Sequence, residues 1–202
     1  VKMATIDYST GKNKNSGAFS YQVSKERSKF LVYYDLPFNK GEPDKFGVHV
    51  FDKDMKQIWS RDITMPYADE LYYRQDLSLS ESGDVFVLGK VYKEKAKSSI
   101  KGNPNYKYEI TAYTASSKTP VKYSMSLGDK FLQSMKIETS KEGKLICTGF
   151  YGENGVYSIQ GFYYLIVDAE TKSILKRSFK KFSLNFITEG MTDRQEDKTR
   201  KN

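Results

Sequence analysis

The chain is poor in the residues that most often carry chemistry. It has a single cysteine, a single histidine and a single tryptophan among 202 residues. One cysteine excludes an internal disulfide. One histidine beside one cysteine excludes a zinc centre built on several such ligands. An acyl-transfer triad needs a base beside its nucleophile, and only His49 is there to serve. It lies between Val48 and Val50, which gives it the place of a structural side chain in a strand, held by a neighbouring sheet. No apolar run approaches the roughly 18 residues a membrane-spanning helix needs. No calcium loop follows Asp52 and Asp54, because the glycine and the distal glutamate of that motif are missing. No cofactor motif is present, and no cofactor is expected.

What the chain does have is aromatic and β-branched. Sixteen tyrosines and twelve phenylalanines are spread along stretches that alternate with turn residues, a composition suited to half-buried pleated surfaces. The reading is all-β. The formal net charge is +8, yet acids are interleaved with the lysines nearly everywhere. That is a diffuse field rather than a stripe, so nucleic acid is not an expected partner.

Three stretches share one plan of four extended segments. The first covers residues 18–66, with AFSYQV, KFLVYYDL, FGVHVF and QIWSRDITM. The second covers 71–127, with LYYRQDLSL, VFVLGKVYK, YKYEITAYT and VKYSMSL. The third covers 130–185, with FLQSMKIET, KLICTGFY, SIQGFYYLIVD and SILKRSFKKF. Lys29, Asp84 and Lys144 occupy equivalent places at the start of the second segment in each copy. Four strands in about 50 residues is the size of one propeller blade. The expected fold is therefore three four-stranded antiparallel blades, an incomplete β-propeller; a β-sandwich is the alternative. Residues 1–17 read as a strand at 3–8 and a linker. Residues 186–202 read as a charged tail, a frayed end or the start of a linker, where Thr192 offers a helix cap but no apolar stripe would hold the helix down. The dense segment KFLVYYDL is expected to be buried on both faces, and Phe162 to Val167, the most apolar run, to be an inner or central strand. The outgoing segment Leu175 to Lys181 has the charges of an exposed edge. Opening on Val1, the chain reads as a trimmed piece of something longer, whose bare end sheets would self-associate.

The turns VFDKDMKQIW and IVDAETKSIL resemble those of quinoprotein-type propeller blades. The likeness implies packing roles for Asp52, Trp59 and Asp168, although Lys56 and Lys172 stand where that family has glycine. The string from Leu31 to Tyr72, with GKVYKEK and GNPNYKYEI, is similar to uncharacterised envelope or secreted proteins of Bacteroidota-type bacteria. This implies a periplasmic, cell-surface or secreted setting and no particular activity.

The most distinctive surface feature is KEKAKSSIKGNPN, the basic insert of the second copy. Tyr92, Lys93, Lys95, Lys97, Lys101 and Tyr106 form the candidate binding site, for a protein or an acidic glycan partner. Tyr33, Tyr34, Phe38, Tyr151 and Tyr157 flank the equivalent loops and would add rings for sugars to stack on. Asp35, Glu42, Asp44 and Glu153 are the acids of those loops. The expected function is non-catalytic binding or scaffolding. The alternative is part of a glycan-active hydrolase or lyase, which needs two carboxyls facing one cleft.

Overall fold

The computed structural model describes residues 19–95, 99–100, 103–125, 127–128, 130–153, 159–189, 191–193 and 195. The strand expected at residues 3–8, the lysines at 97 and 101 and the tyrosine at 157 lie outside them.

The first sheet runs in chain order through β1 (Phe19–Val23), β2 (Lys29–Asp35), β3 (Pro43–Asp52) and β4 (Gln57–Ala68). The middle sheet begins with β5 (Tyr72–Leu79) and β6 (Val85–Tyr92). A small ladder of β7 (Ser99–Ile100) and β8 (Asn103–Pro104) follows, and β9 (Tyr106–Tyr113) and β10 (Val121–Ser124) complete the sheet. The third sheet is made of β11 (Lys130–Leu132), β12 (Lys136–Thr139), β13 (Lys144–Glu153), β14 (Gly161–Asp168) and β15 (Ile174–Lys181). Every neighbouring pair is antiparallel. The chain is all-β with three antiparallel meanders, stacked face on face.

Two cores hold the stack together. Leu31, Phe46, Val48 and Val50 of the first sheet pack against Leu77, Leu79, Val85 and Val87 of the middle one. On the opposite side Phe86, Leu88, Tyr108 and Ile110 meet Leu145, Cys147, Tyr163 and Leu165 of the third. Among the described residues only the middle sheet is covered on both sides. The register of the copies follows from this. Val85 points back at the first sheet and Leu145 back at the middle one, while Leu31 and Phe86 point forward.

One turn recurs at the entrance to the second strand of each sheet. The carbonyls of Ser24, Ser80 and Ser140 accept from the amides of Arg27, Gly83 and Gly143. The three serine hydroxyls then accept from an amide at the start of the next strand, Lys29, Asp84 and Lys144, five residues on in the first copy and four in the other two. Gly83 and Gly143 take φ of +87° and +75°, where a side chain is strained, and Arg27 takes +57°. At the third turns Asp52 and Asp168 each accept two backbone amides through Oδ1. Trp59 donates Nε1–H to the Gly83 carbonyl of the next sheet at 2.9 Å. The Asp168 carboxyl is held well below the usual carboxylate range, first by the Lys144 ammonium at 2.5 Å and then by the Thr171 amide.

Several expectations are corrected. FLQSMKIET is two strands rather than one. Gln133 and Ser134 both donate to the Phe150 carbonyl, and this breaks the ladder between β11 and β12. The β2 strand is not buried on both faces: Leu31 faces the middle sheet, while Phe30 and Val32 on the other face stay half-exposed, no further sheet covering them among the described residues. β14 is a central strand, between β13 and β15, with buried and less buried positions alternating along it. β6 is the strand buried on both sides. His49 is held within its own sheet, by Tyr34 Oη at 3.3 Å and Gln57 Oε1 at 2.8 Å. Ahead of the expected tail helix is α1 (Leu184–Thr188), capped by Ser183 Oγ, which accepts from the Phe186 amide. No helix among the described residues is long and apolar enough to cross a membrane.

Cys147 is fully buried and its thiol is pushed up to about 12 by burial. Its thiolate is the reactive form, so a thiol reagent at pH 8 should label the folded chain only as fast as the core opens. Labelling timed against denaturant checks this; prompt reaction of the native chain would contradict the packing.

Candidate functional site

The connections alternate between two ends of the stack. The serine turns lie at one end; the loop after β2, the insert after β6 and the loop after β13 lie at the other. The basic insert is pinned at its base. Lys93 N–H donates to the Asn105 carbonyl, and the Asn105 side chain both donates to Glu94 O and accepts from Glu94 N. Lys93 and Lys95 are exposed, and Lys95 Nζ sits 3.3 Å from Glu70 Oε2.

The two flanking tyrosines do not form an open platform. Their rings are tilted with centroids 5.8 Å apart, and Tyr106 is buried, its hydroxyl donating to Gln133 O at 3.3 Å. They serve a residue the sequence reading passed over. Lys90 Nζ stands 3.5 Å from the Tyr106 ring centre, with Tyr92 at 5.7 Å and Tyr108 at 5.9 Å. Burial lowers its pKa, while the three rings favour the ammonium. The signal was the alternation that puts Lys90 on the same face as Phe86, Leu88 and Tyr92.

The aromatic residues of the other loops do not converge. Tyr151 is buried between the middle and third sheets, and Tyr33 packs toward the middle sheet. Tyr34 lies on the outer face of the first sheet, over Gly47, where any Cβ would overlap its ring. Phe38 borders a pocket at the seam between the first and middle sheets.

Of the four acids, the structure brings two together. Asp35 and Asp44 share the guanidinium of Arg74, Asp35 Oδ1 through Nη2 and Asp44 Oδ2 at 3.5 Å from Nη1. The Arg74 guanidinium also lies 4.3 Å from the Phe46 ring centre. Burial raises the Asp44 carboxyl above its ordinary value, against the pull of Arg74. Glu42 instead accepts from Asn39 and faces Lys45, and Glu153 ends β13 in the third sheet. Arg74 reaches this seam because of a bulge. The ladder to β6 passes from Arg74 to Asp76, leaving Gln75 as an extra residue. The insertion reverses the alternation, so Tyr72 and Arg74 face the first sheet together with Leu77 and Leu79.

A second concavity, of about 390 Å³, lies where β1, β5 and β12 come together. Its charges are matched in pairs: Lys25 with Glu138 at 2.7 Å, and Lys136 with Asp76 at 3.5 Å. Ser78 and Thr139 tie the strands behind it, Thr139 N–H donating to Ser78 Oγ and Thr139 Oγ1 to Leu79 O. No group of three or more metal-ligating side chains stands among the described residues.

No protein-family model matches the sequence, and no curated protein does. Solved structures with a similar arrangement include the cobalt-substituted apocarotenoid oxygenase of Synechocystis, at 8% identity and a TM-score of 0.47 over 81% of this chain and 39% of that one. An ACO/RPE65 chimera aligns at 9% identity and a TM-score of 0.48, over 84% of this chain and 40% of that one. Prolyl oligopeptidase B from Galerina marginata aligns at 7% identity and a TM-score of 0.40, over 82% and 23%. The chain thus spans about two fifths or less of the length of these structures. At such scores no role passes from them to residues here.

Proposed function

We propose that the chain is a run of propeller-type blades that acts as a non-catalytic binding or scaffolding module, in a protein of the bacterial envelope or cell surface. The observation that carries the proposal is the repetition of one antiparallel meander in three sheets packed face on face. Equivalent strands stack on one another, and the equivalent serine turns share one end. Blades of a propeller have this order. The envelope setting rests on the likeness in Leu31 to Tyr72 alone.

The two outer faces fit the same reading. Phe19, Tyr21 and Val23 are exposed on the first sheet, and Phe150, Phe162 and Phe186 at the third. The middle sheet gives the pattern of cover such faces take, so their natural occupant is a further sheet of the same kind. A hydrolase or lyase would need two carboxyls free across an open cleft, whereas Asp35 and Asp44 meet on one guanidinium; binding is the reading preferred.

The isolated chain should therefore associate as its concentration rises, and Tyr21→Ser or Phe162→Ser should shift it toward monomer. Sedimentation velocity reads both. A monomer at every concentration, with those faces bare, would count against the blade reading.

A further inference from the structure

The concavity of about 390 Å³ reveals how the three sheets are set. β1, β5 and β12 are edge strands of their sheets, and all three border it. So do Ile146 and Thr148 of β13. These two alternate with Leu145 and Cys147, which point back into the core, so they lie on the forward face of the third sheet. In a flat stack that face would turn away from the first sheet, with the middle sheet between them. Here it shares a cavity with Val23 of β1, and Lys25 reaches Glu138 at 2.7 Å. The sheets therefore fan around an axis on the side of β1, β5 and β12, and the two bare faces open toward the rest of the circle.

Those faces are of opposite kind. Each internal interface joins a forward face to a back face: Leu31 and Val50 of the first sheet to Val85 and Val87 of the middle one, and Phe86 and Leu88 to Leu145 and Cys147 of the third. Among the described residues the back face of the first sheet and the forward face of the third have no such partner. Trp59 docks on the Gly83 carbonyl of the next sheet, whereas Leu175, at the corresponding place in the third sheet, is 54% exposed. Charges are matched across the two faces. Asp62 lies opposite Gly47, the glycine that Tyr34 covers, and so belongs to the back face of β4. Lys176 and Lys180 lie opposite Ile166 and Phe162, which puts them on the forward face of β15. All three are exposed, and none has an ion-pair partner among the described residues.

We propose that two copies of this chain pair reciprocally, the forward face of each third sheet against the back face of the other copy's first sheet, and close six meanders around one axis. The proposal rests on the blade reading and names the partner that completes it. A second copy supplies both missing faces at once, and six lies within the roughly four to eight blades of closed propellers. β15 then runs beside β4 of the other copy as β4 runs beside β10 within the chain, where Lys122 reaches over the Tyr67 ring. Asp62 of one copy meets Lys176 and Lys180 of the other. Leu175 reaches the turn at Arg27, the place that Gly83 holds for Trp59.

Charge reversal separates this pairing from any other. Asp62→Lys on one chain, and Lys176→Asp with Lys180→Asp on another, each set like charges against each other and should weaken self-association about tenfold. An equimolar mixture of the two variants restores opposite charges at both junctions and should associate as the unmodified chain does. Sedimentation equilibrium reads stoichiometry and dissociation constant together, and the unmodified chain should stop at two copies. Association that grows past two copies would overturn closure of the ring. A dimer indifferent to either variant, or a mixture no tighter than its components, would overturn the reciprocal pairing and leave the blade reading standing. A monomer at every concentration would count against the blade reading itself and the pairing with it. Circular dichroism of the variants checks that the fold is kept, the three positions being exposed.

Discussion

Gly149→Ala should cost about 3 kcal/mol or more of unfolding free energy, a large share of the roughly 5–15 kcal/mol that holds a domain folded. A Cβ at Gly149 would run into the main-chain carbonyl of Ser134, and the Tyr163 hydroxyl closes the other side. Neither is the free end of a flexible side chain. Ser134 O accepts from Tyr163 at 2.9 Å, and the amides of Gln133 and Ser134 are both committed to Phe150 O. Relief would require moving the kink between β11 and β12 and with it Met135, which is fully buried. Gly143→Ala is the control. It has open space around it but φ of +75°, so it should lose only about 1 kcal/mol through backbone strain. Urea titrations of the two variants separate collision from dihedral strain. Equal losses would mean that the kink is not pinned as described.

Arg74→Met should destabilise the chain by roughly 3 kcal/mol at neutral pH, because it strips the counter-charge from a buried carboxylate. Asp44 carries most of this, its side chain being 14% exposed; Asp35, at 38%, is better served by water. The pH dependence has a definite sign. Burial already holds the Asp44 carboxyl above its ordinary value while Arg74 pulls it down, so removing Arg74 raises it further. A carboxyl with a raised pKa keeps a proton in the folded chain that the unfolded chain has released. Stability then rises as the pH falls through that interval. The deficit of Arg74→Met should therefore shrink between about pH 7 and pH 5. Parallel denaturation curves at the two pH values check it, and a constant deficit would assign the loss to packing over Phe46 instead.

The three sheets were legible because turn residues and apolar alternation recur together. SKERS, SESGD and SKEGK mark the same turn, and Val85, Phe86 and their counterparts fall in the same register. What could not be read was which faces would be covered. KFLVYYDL and VFVLGKVY look alike as strings, yet only the second lies in a sheet with neighbours on both sides, a matter of position in the stack. The candidate site was less legible still. The basic insert stands out by composition, whereas Arg74 matters only because Gln75 adds a residue to one strand, and a bulge leaves no mark in residue type. Lys90 was hidden likewise among ordinary lysines, since its setting comes from Tyr106 and Tyr108 on another strand.

The serine turns bear on how such a chain can vary. Main-chain bonds and one short hydroxyl close each of them, and their length varies by a single residue between copies. The opposite connectors carry no such constraint, and the one between β6 and β9 has already grown to hold its own small ladder. Diversification is thereby channelled to a single end of the molecule, and new specificities can be tried there while the scaffold beneath is inherited unchanged.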